Sequence, residues 1–190
     1  SVPMMGDRSV NISSIIMQWQ MAVISGIEYA RNVMVDGRKN RDRKDRKQEK
    51  ELYMRYYIAD LHFCHENLNT RMDCRGFESG EAMNEYMIAQ WNSRVRKRDE
   101  VVILGDFCIS KKGEIANAIL ERLNGRKYLI LGNHDYFAAN KQFDPSHFEW
   151  ITHYREINDN NRKVILCHYP VMCYNGQYRR NAKGEPKTYM

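Results

Sequence analysis

Four short β-rich runs, each followed at once by residues able to bind a metal or move a proton, constrain this 190-residue chain more than any other feature. A strand read over Tyr53 to Ala59 runs into Asp60-Leu61-His62, and VVIL (Val101 to Leu104) runs into Gly105-Asp106. YLIL (Tyr128 to Leu131) leads to Gly132-Asn133-His134-Asp135, and KVILC (Lys163 to Cys167) ends at His168. Helical patterns lie between the runs. Glu78 to Arg96 places Met83, Met87, Ile88 and Trp91 at helical spacing, and a second helix over about Gly113 to Leu123 stops at Asn124-Gly125. Strands alternating with helices predict an α/β fold with βαβ units and a substantially parallel sheet. Sites in such sheets are built just past the carboxyl ends of the strands. Taken singly, Asp106 reads equally as a helix cap, His168 as a hydrogen-bonded core histidine, and Asn133-His134-Asp135 as a turn. Together, four such groups at one topological edge point to a site.

The residue types suit a metal centre. In an extended strand end, residues i and i+2 project to the same side, so Asp60 and His62 are expected to bind one cation together. Asp106, from an adjacent strand end, has paired oxygens with which to bridge two cations, and Asn133 and His168 supply a neutral oxygen and an imidazole to the second. Mixed nitrogen and oxygen ligation favours Mn, Fe, Zn, Ni or Co over Mg or Ca. Two such ions ~3.5–4 Å apart clamp a phosphate and lower the pKa of a shared water.

The set Asp60-x-His62, Gly105-Asp106, Gly132-Asn133-His134-Asp135 and His168 resembles the calcineurin-like metallophosphoesterases in order and approximate spacing. The strings DLHFCHEN (Asp60 to Asn67), LGDF (Leu104 to Phe107), LNGRKYLILGNHD (Leu123 to Asp135) and CHYP (Cys167 to Pro170) look closest to a small bacterial and phage branch. The resemblance covers roughly Tyr53 to Pro170. It implies a sandwich with a βαβαβ core flanked by helices. It also implies that Asp60 and His62 hold a first metal, that Asp106 bridges, and that Asn133 and His168 hold a second. His134 would lie near the leaving-group oxygen and donate a proton, oriented by Asp135, while a metal-bridging hydroxide attacks phosphorus in line. A histidine beside a carboxylate is in any case a positioned acid at neutral pH. His65, Asn67 and Arg75 follow the first strand and are candidates for binding the substrate phosphate, Arg by its forked donors; a surface Arg and capping polar residues are the plainer reading.

The family's pattern adds two metal-binding histidines in a Gly-His-x-His motif after the His168 strand, and the strands that complete the second sheet. Here His168 is the last histidine of a chain ending at Met190. Truncation is the expected reading. Contribution from another subunit, or water in open coordination positions, are the alternatives.

The rest of the chain reads more simply. Asn11 to about Val35 has the rhythm of an amphipathic helix, expected to cover apolar surface or to support a homo-oligomer. The run from Arg38 to Lys50 has eight Lys or Arg against three Asp or Glu, and so carries +5 of the formal net charge of +6. The expected organisation is an N-terminal helical segment over 1–37, a charged linker or helix extension over 38–51, and the metallophosphoesterase domain over 52–190. Because the body is nearly neutral, a nucleic-acid-binding or nuclease role would rest on the basic segment alone. Five cysteines without a CxxC pair, and no secretory signal, predict a cytoplasmic protein without a disulfide framework. The most apolar stretch, Ile12 to Ile27, is too polar to span a membrane. Hydrolysis of a phosphomonoester or phosphodiester, on a small or nucleotide-like substrate, is the leading expectation. A weakly active or inactive remnant that binds a partner is the competitor.

Overall fold

Residues 53–159 and 161–190 are described by the computed structural model; the expectations for 1–51 lie outside them. Each predicted strand of the sequence forms. Strand β1 (Arg55–Ile58), β2 (Glu100–Leu104), β3 (Arg126–Ile130) and β4 (Phe148–Thr152) make one sheet in that order, every neighbour parallel. A second sheet contains β5 (Tyr154–Asp159), β6 (Arg162–Cys167) and β7 (Thr188–Tyr189), with β5 antiparallel and β7 parallel to β6.

Alternation of side chains divides the first sheet between two cores. Val101, Ile103 and Leu129 face the helices, whereas Tyr57, Val102 and Ile130 face Val164 and Leu166 of the second sheet. Strand β4 obeys the same logic through an irregularity. Lys127 pairs with Phe148 but Leu129 pairs with Ile151, so one extra residue on β4 lets Phe148 and Ile151 share the helical side while Trp150 joins the other. The layers run helices, parallel sheet, mixed sheet.

Three helices connect the first strands: α1 (Glu66–Thr70), α2 (Gly80–Arg94) and α3 (Gly113–Arg122). Met83, Met87, Ile88 and Trp91 are the buried face of α2, as their spacing predicts, and Trp91 donates its indole N–H to the Asn124 carbonyl at 2.9 Å. The Ser79 hydroxyl caps α2 by accepting from the Ala82 amide at 3.0 Å. Ser79→Ala is therefore expected to lower unfolding free energy by about 1 kcal/mol, read from urea denaturation.

One expectation needs correction. The strand ending at His168 is not part of the parallel sheet: it is β6, in the second sheet. A single residue, His153, separates β4 from β5, too little for the crossover a parallel neighbour requires. The chain instead changes sheets there and returns as a hairpin, with Asp159 paired to Arg162 and Asn161 at φ 61 in the turn. After His168 the described residues add only the two-residue strand β7 to the second sheet. No helix among the described residues is long and apolar enough to cross a membrane.

Candidate metal centre

Parallel pairing brings the carboxyl ends of β1, β2 and β3 to one rim. Pairing continues past the strands themselves. The Asp60 amide donates to the Gly105 carbonyl at 3.1 Å, the His62 amide to Asp106 at 2.8 Å, and the Phe63 amide to Phe107 at 2.9 Å. Along this path Asp60, His62 and Asp106 have φ of 55, 52 and 54. The left-handed region costs a non-glycine residue roughly 1–2 kcal/mol, and such strain concentrates at functional sites. Asp60 and His62 thus come together by alternating left-handed turns, not as successive same-side residues of an extended strand.

The first group is Asp60, His62 and Asp106, whose ligand atoms all lie within 4.8 Å of one another. His62 Nε2 stands 3.7 Å from Asp60 Oδ1 and 3.5 Å from Asp106 Oδ2. These separations are too long for hydrogen bonds. Two atoms each bound to one ion at ~2.0–2.2 Å lie roughly 3.0–3.5 Å apart in tetrahedral or octahedral geometry, and the observed spacing is close to that. Asp60 is exposed and His62 half-buried, while Asp106 is 3% exposed.

The second group uses the other oxygen of Asp106. His168 Nε2 lies 3.8 Å from Asp106 Oδ1 and 3.0 Å from Asn133 Oδ1. His168 Nδ1 meets the Leu104 carbonyl at 2.8 Å. A carbonyl only accepts, so Nδ1 carries a proton and the neutral ring presents a lone pair at Nε2. With Asn133 Oδ1 turned toward it, three acceptors converge, a set that a cation satisfies. A ring N–H fixed by a backbone carbonyl is the usual support of a metal-ligating histidine. The donor set fits divalent metal, and β6 reaches the rim from the second sheet.

Two glycines make room for these ligands. A Cβ on Gly132 would collide with the Asp106 carboxylate and amide; one on Gly105, at φ 94, would collide with the His168 ring. Gly132→Ala is expected to reduce Mn²⁺ affinity on the order of 10–100-fold in a calorimetric titration; wild-type affinity would contradict this placement. The sequence signal was there, as glycine precedes the ligand in both GD and GN, but its reason is spatial.

The carboxylate of Asp135 is placed differently from expectation. It is 6% exposed and accepts three backbone amides: Gly132 at 2.8 Å, Asp106 at 2.9 Å and Phe107 at 2.7 Å. Burial pushes this carboxyl above the usual range, while the three amide donors pull it down. It organises the loops and makes no hydrogen bond to the His134 ring. His134 is held instead through its amide, which donates to Asp106 Oδ1 at 2.9 Å, and its ring centroid lies 5.5 Å from that of His62.

Among the remaining candidates, His65 stands 5.4 Å from His62, ring to ring. Burial lowers its pKa, with His134 and Arg75 adding to the effect. Burial likewise lowers the pKa of His62, against the pull of Asp106 and Asp60. The Nδ1 atoms of His62 and His65 are both buried without a hydrogen-bond partner. Arg75 has an 8% exposed side chain, with contacts to the Leu61 carbonyl at 3.5 Å and to Asp73 at 3.5 Å; burial lowers its pKa while Asp73 and Asp60 raise it. Asn67 is exposed on α1.

Residues 56–186, spanning every candidate ligand, match a family model described as calcineurin-like phosphoesterase. An uncharacterized protein of Methanocaldococcus jannaschii is 38% identical over 120 residues, covering 63% of this chain and 60% of that protein. The Gene 66 protein of Mycobacterium phage L5 is 40% identical over 83 residues, covering 42% and 39%. A solved structure of a protein of unknown function from Aquifex aeolicus superposes with a TM-score of 0.50 at 28% identity, covering 63% of this chain and 62% of that one. The chain thus spans less than two thirds of the length of each of these relatives.

Proposed function

The chain belongs to the calcineurin-like phosphoesterase family, and from that premise we propose that it hydrolyses phosphoesters with two divalent transition-metal ions held at the rim. One observation carries the reading. The two oxygens of Asp106 face opposite ways, Oδ2 toward His62 at 3.5 Å and Oδ1 toward His168 at 3.8 Å. Asp60, His62 and Asp106 would hold one ion; Asp106, Asn133 and His168 the other. The mixed nitrogen and oxygen donors favour Mn, Fe, Zn, Ni or Co. Such ions supply charge to polarise the phosphoryl group and to activate water.

The protein's own groups divide the remaining tasks. His134, on the rim beside His62, donates a proton to the departing oxygen of the ester. Arg75 and His65 would orient a phosphoryl oxygen through positive charge and N–H donors, a role supported by the nearness of His65 to His62 and by the interaction of Arg75 with Asp60. Asp135 fixes the Gly132, Asp106 and Phe107 amides, and with them the angle at which Asp106 and His134 meet the substrate. Water attacks phosphorus in line with the departing oxygen, and no residue is esterified.

The test is hydrolysis of bis(p-nitrophenyl) phosphate and p-nitrophenyl phosphate by chelator-treated protein, with and without added Mn²⁺. Activity is expected only with metal, and His134→Ala should lower kcat by ~10²–10⁴-fold while retaining bound metal. Full metal occupancy without hydrolysis of either ester would establish the competing reading, a metal-binding remnant that does no chemistry.

A further inference from the structure

Two large aromatic side chains at the rim take no part in the chemistry described so far. Tyr136 is 54% exposed and Tyr169 53% exposed. Each sits edge-on to a site histidine: Tyr136 to His134, with centroids 6.5 Å apart at 77°, and Tyr169 to His168, at 5.0 Å and 76°. His134 adjoins the Asp60–His62–Asp106 group, whereas His168 belongs to the Asn133–His168 side, so the two tyrosines extend opposite ends of the site. Neither hydroxyl makes a hydrogen bond within the described residues. Of the other exposed tyrosines, Tyr86 packs against Phe77, Tyr154 donates to Glu156 and Tyr53 receives the Arg126 guanidinium, while Tyr178, 84% exposed, adjoins no site histidine. Lys111 places its Nζ 5.1 Å from the Tyr136 ring centroid. That contact steadies one face of the ring and adds a positive charge beside the site. The result is a phosphoryl-handling centre flanked by open π-faces and a cation.

We propose that Tyr136 and Tyr169 each offer a base-stacking face at one end of the site, and that the substrate is a small nucleotide-type phosphoester whose nucleobase stacks on one of them. The inference rests on the phosphoester reading above and adds the organic part of the substrate. A planar base joined to an anionic phosphate matches this surface, because stacking on aromatic side chains tolerates any base and the adjoining cation suits the phosphate. A long single strand would need a basic groove tracking its backbone; among the described residues the cations tied to the site are Lys111, over Tyr136, and Arg75, which feels Asp60. A small nucleotide is therefore the better fit.

Thymidine 5′-(p-nitrophenyl) phosphate and methyl p-nitrophenyl phosphate test the idea, because they share the leaving group and charge and differ in the base. With Mn²⁺-loaded full chain, the ratio of kcat/KM between the two esters is expected to favour the thymidine ester by ~5–100-fold, mostly through KM. Tyr136→Leu and Tyr169→Leu are each measured, and the variant lacking the stacking face should bring that ratio toward one. The corresponding Phe substitution should restore it, which a purely structural role for the hydroxyl would not predict. Bound metal and unfolding midpoint are followed in each variant to exclude a misassembled site. Equal use of both esters by the wild type, or a ratio unmoved in both Leu variants, overturns the inference and leaves phosphoester hydrolysis standing. Tighter competition by oligothymidylate than by thymidine monophosphate overturns the small-nucleotide assignment. Failure to hydrolyse either ester with metal bound strikes both readings.

Discussion

Asp106→Asn is expected to eliminate metal-dependent hydrolysis, lowering kcat/KM by at least ~10³-fold, or about 4 kcal/mol of transition-state stabilisation. The side chain is almost the same size, so packing does not explain the loss. Asn also tolerates the left-handed backbone that position 106 adopts at φ 54. What changes is the number of anionic oxygens. Both are committed in the native site: Oδ2 faces His62 Nε2 at 3.5 Å, and Oδ1 faces His168 Nε2 at 3.8 Å while accepting the His134 amide at 2.9 Å. An amide supplies one weaker oxygen and turns an N–H toward either a metal or a backbone donor. Without metal, the variant should unfold within about 1 kcal/mol of wild type, since a carboxylate buried beside Asp60 is no asset when no cation is near it. With Mn²⁺ at a hundred times its dissociation constant, wild type should gain about 2.7 kcal/mol and the variant nearly nothing. Equal stabilisation of both proteins by Mn²⁺, read from thermal unfolding, would contradict the placement of Asp106 at the centre of the site.

Asp135→Ala is expected to act on the fold first and on activity second. Its carboxylate is the acceptor for the Gly132, Asp106 and Phe107 amides, at 2.8, 2.9 and 2.7 Å. Alanine leaves these three N–H groups facing a cavity in a buried place, and a stranded buried donor costs about 1–3 kcal/mol. The expected loss is about 3–5 kcal/mol, allowing for water entering the space. Since those amides belong to the loops bearing Asp106 and Asn133, metal affinity should fall in parallel. Asp135→Asn keeps one accepting oxygen and should fall between. The contrary role, in which Asp135 only orients the His134 ring, predicts a large drop in kcat with an unchanged unfolding midpoint. Urea denaturation of the two variants separates them.

Much of this architecture was legible in residue order because the signals were local. VVIL and YLIL are buried on both faces in β2 and β3, and a strand buried on both faces reads as a continuous apolar run. The helical spacing of Met83, Met87, Ile88 and Trp91 gave α2, and Asn124-Gly125 gave its successor's end. The polar residues past each strand gave the candidate ligands that the structure brings to one rim. The missed parts depend on long-range geometry. Strands β4 (FEWIT) and β5 (YREIND) are mostly half-buried or exposed and carry charged residues, so neither shows an apolar run. Nothing local to KVILC tells which sheet it joins; the one-residue connection at His153 decides that, and only once β4 and β5 are recognised. Asp60 and His62 do lie side by side, but through left-handed backbone and not an extended strand end, and left-handed backbone at non-glycine residues has no compositional mark. Asp135 was given the nearest imidazole as its partner, whereas three amides from two loops hold it.

The most direct measurement is an anomalous-scattering map from crystals grown with Mn²⁺ and collected above and below the manganese edge. Two peaks are predicted, one touching Asp60, His62 and Asp106, the other touching Asp106, Asn133 and His168. A map with neither peak at Asp106, in protein shown to hydrolyse a phosphoester, would place the chemistry elsewhere and contradict the account.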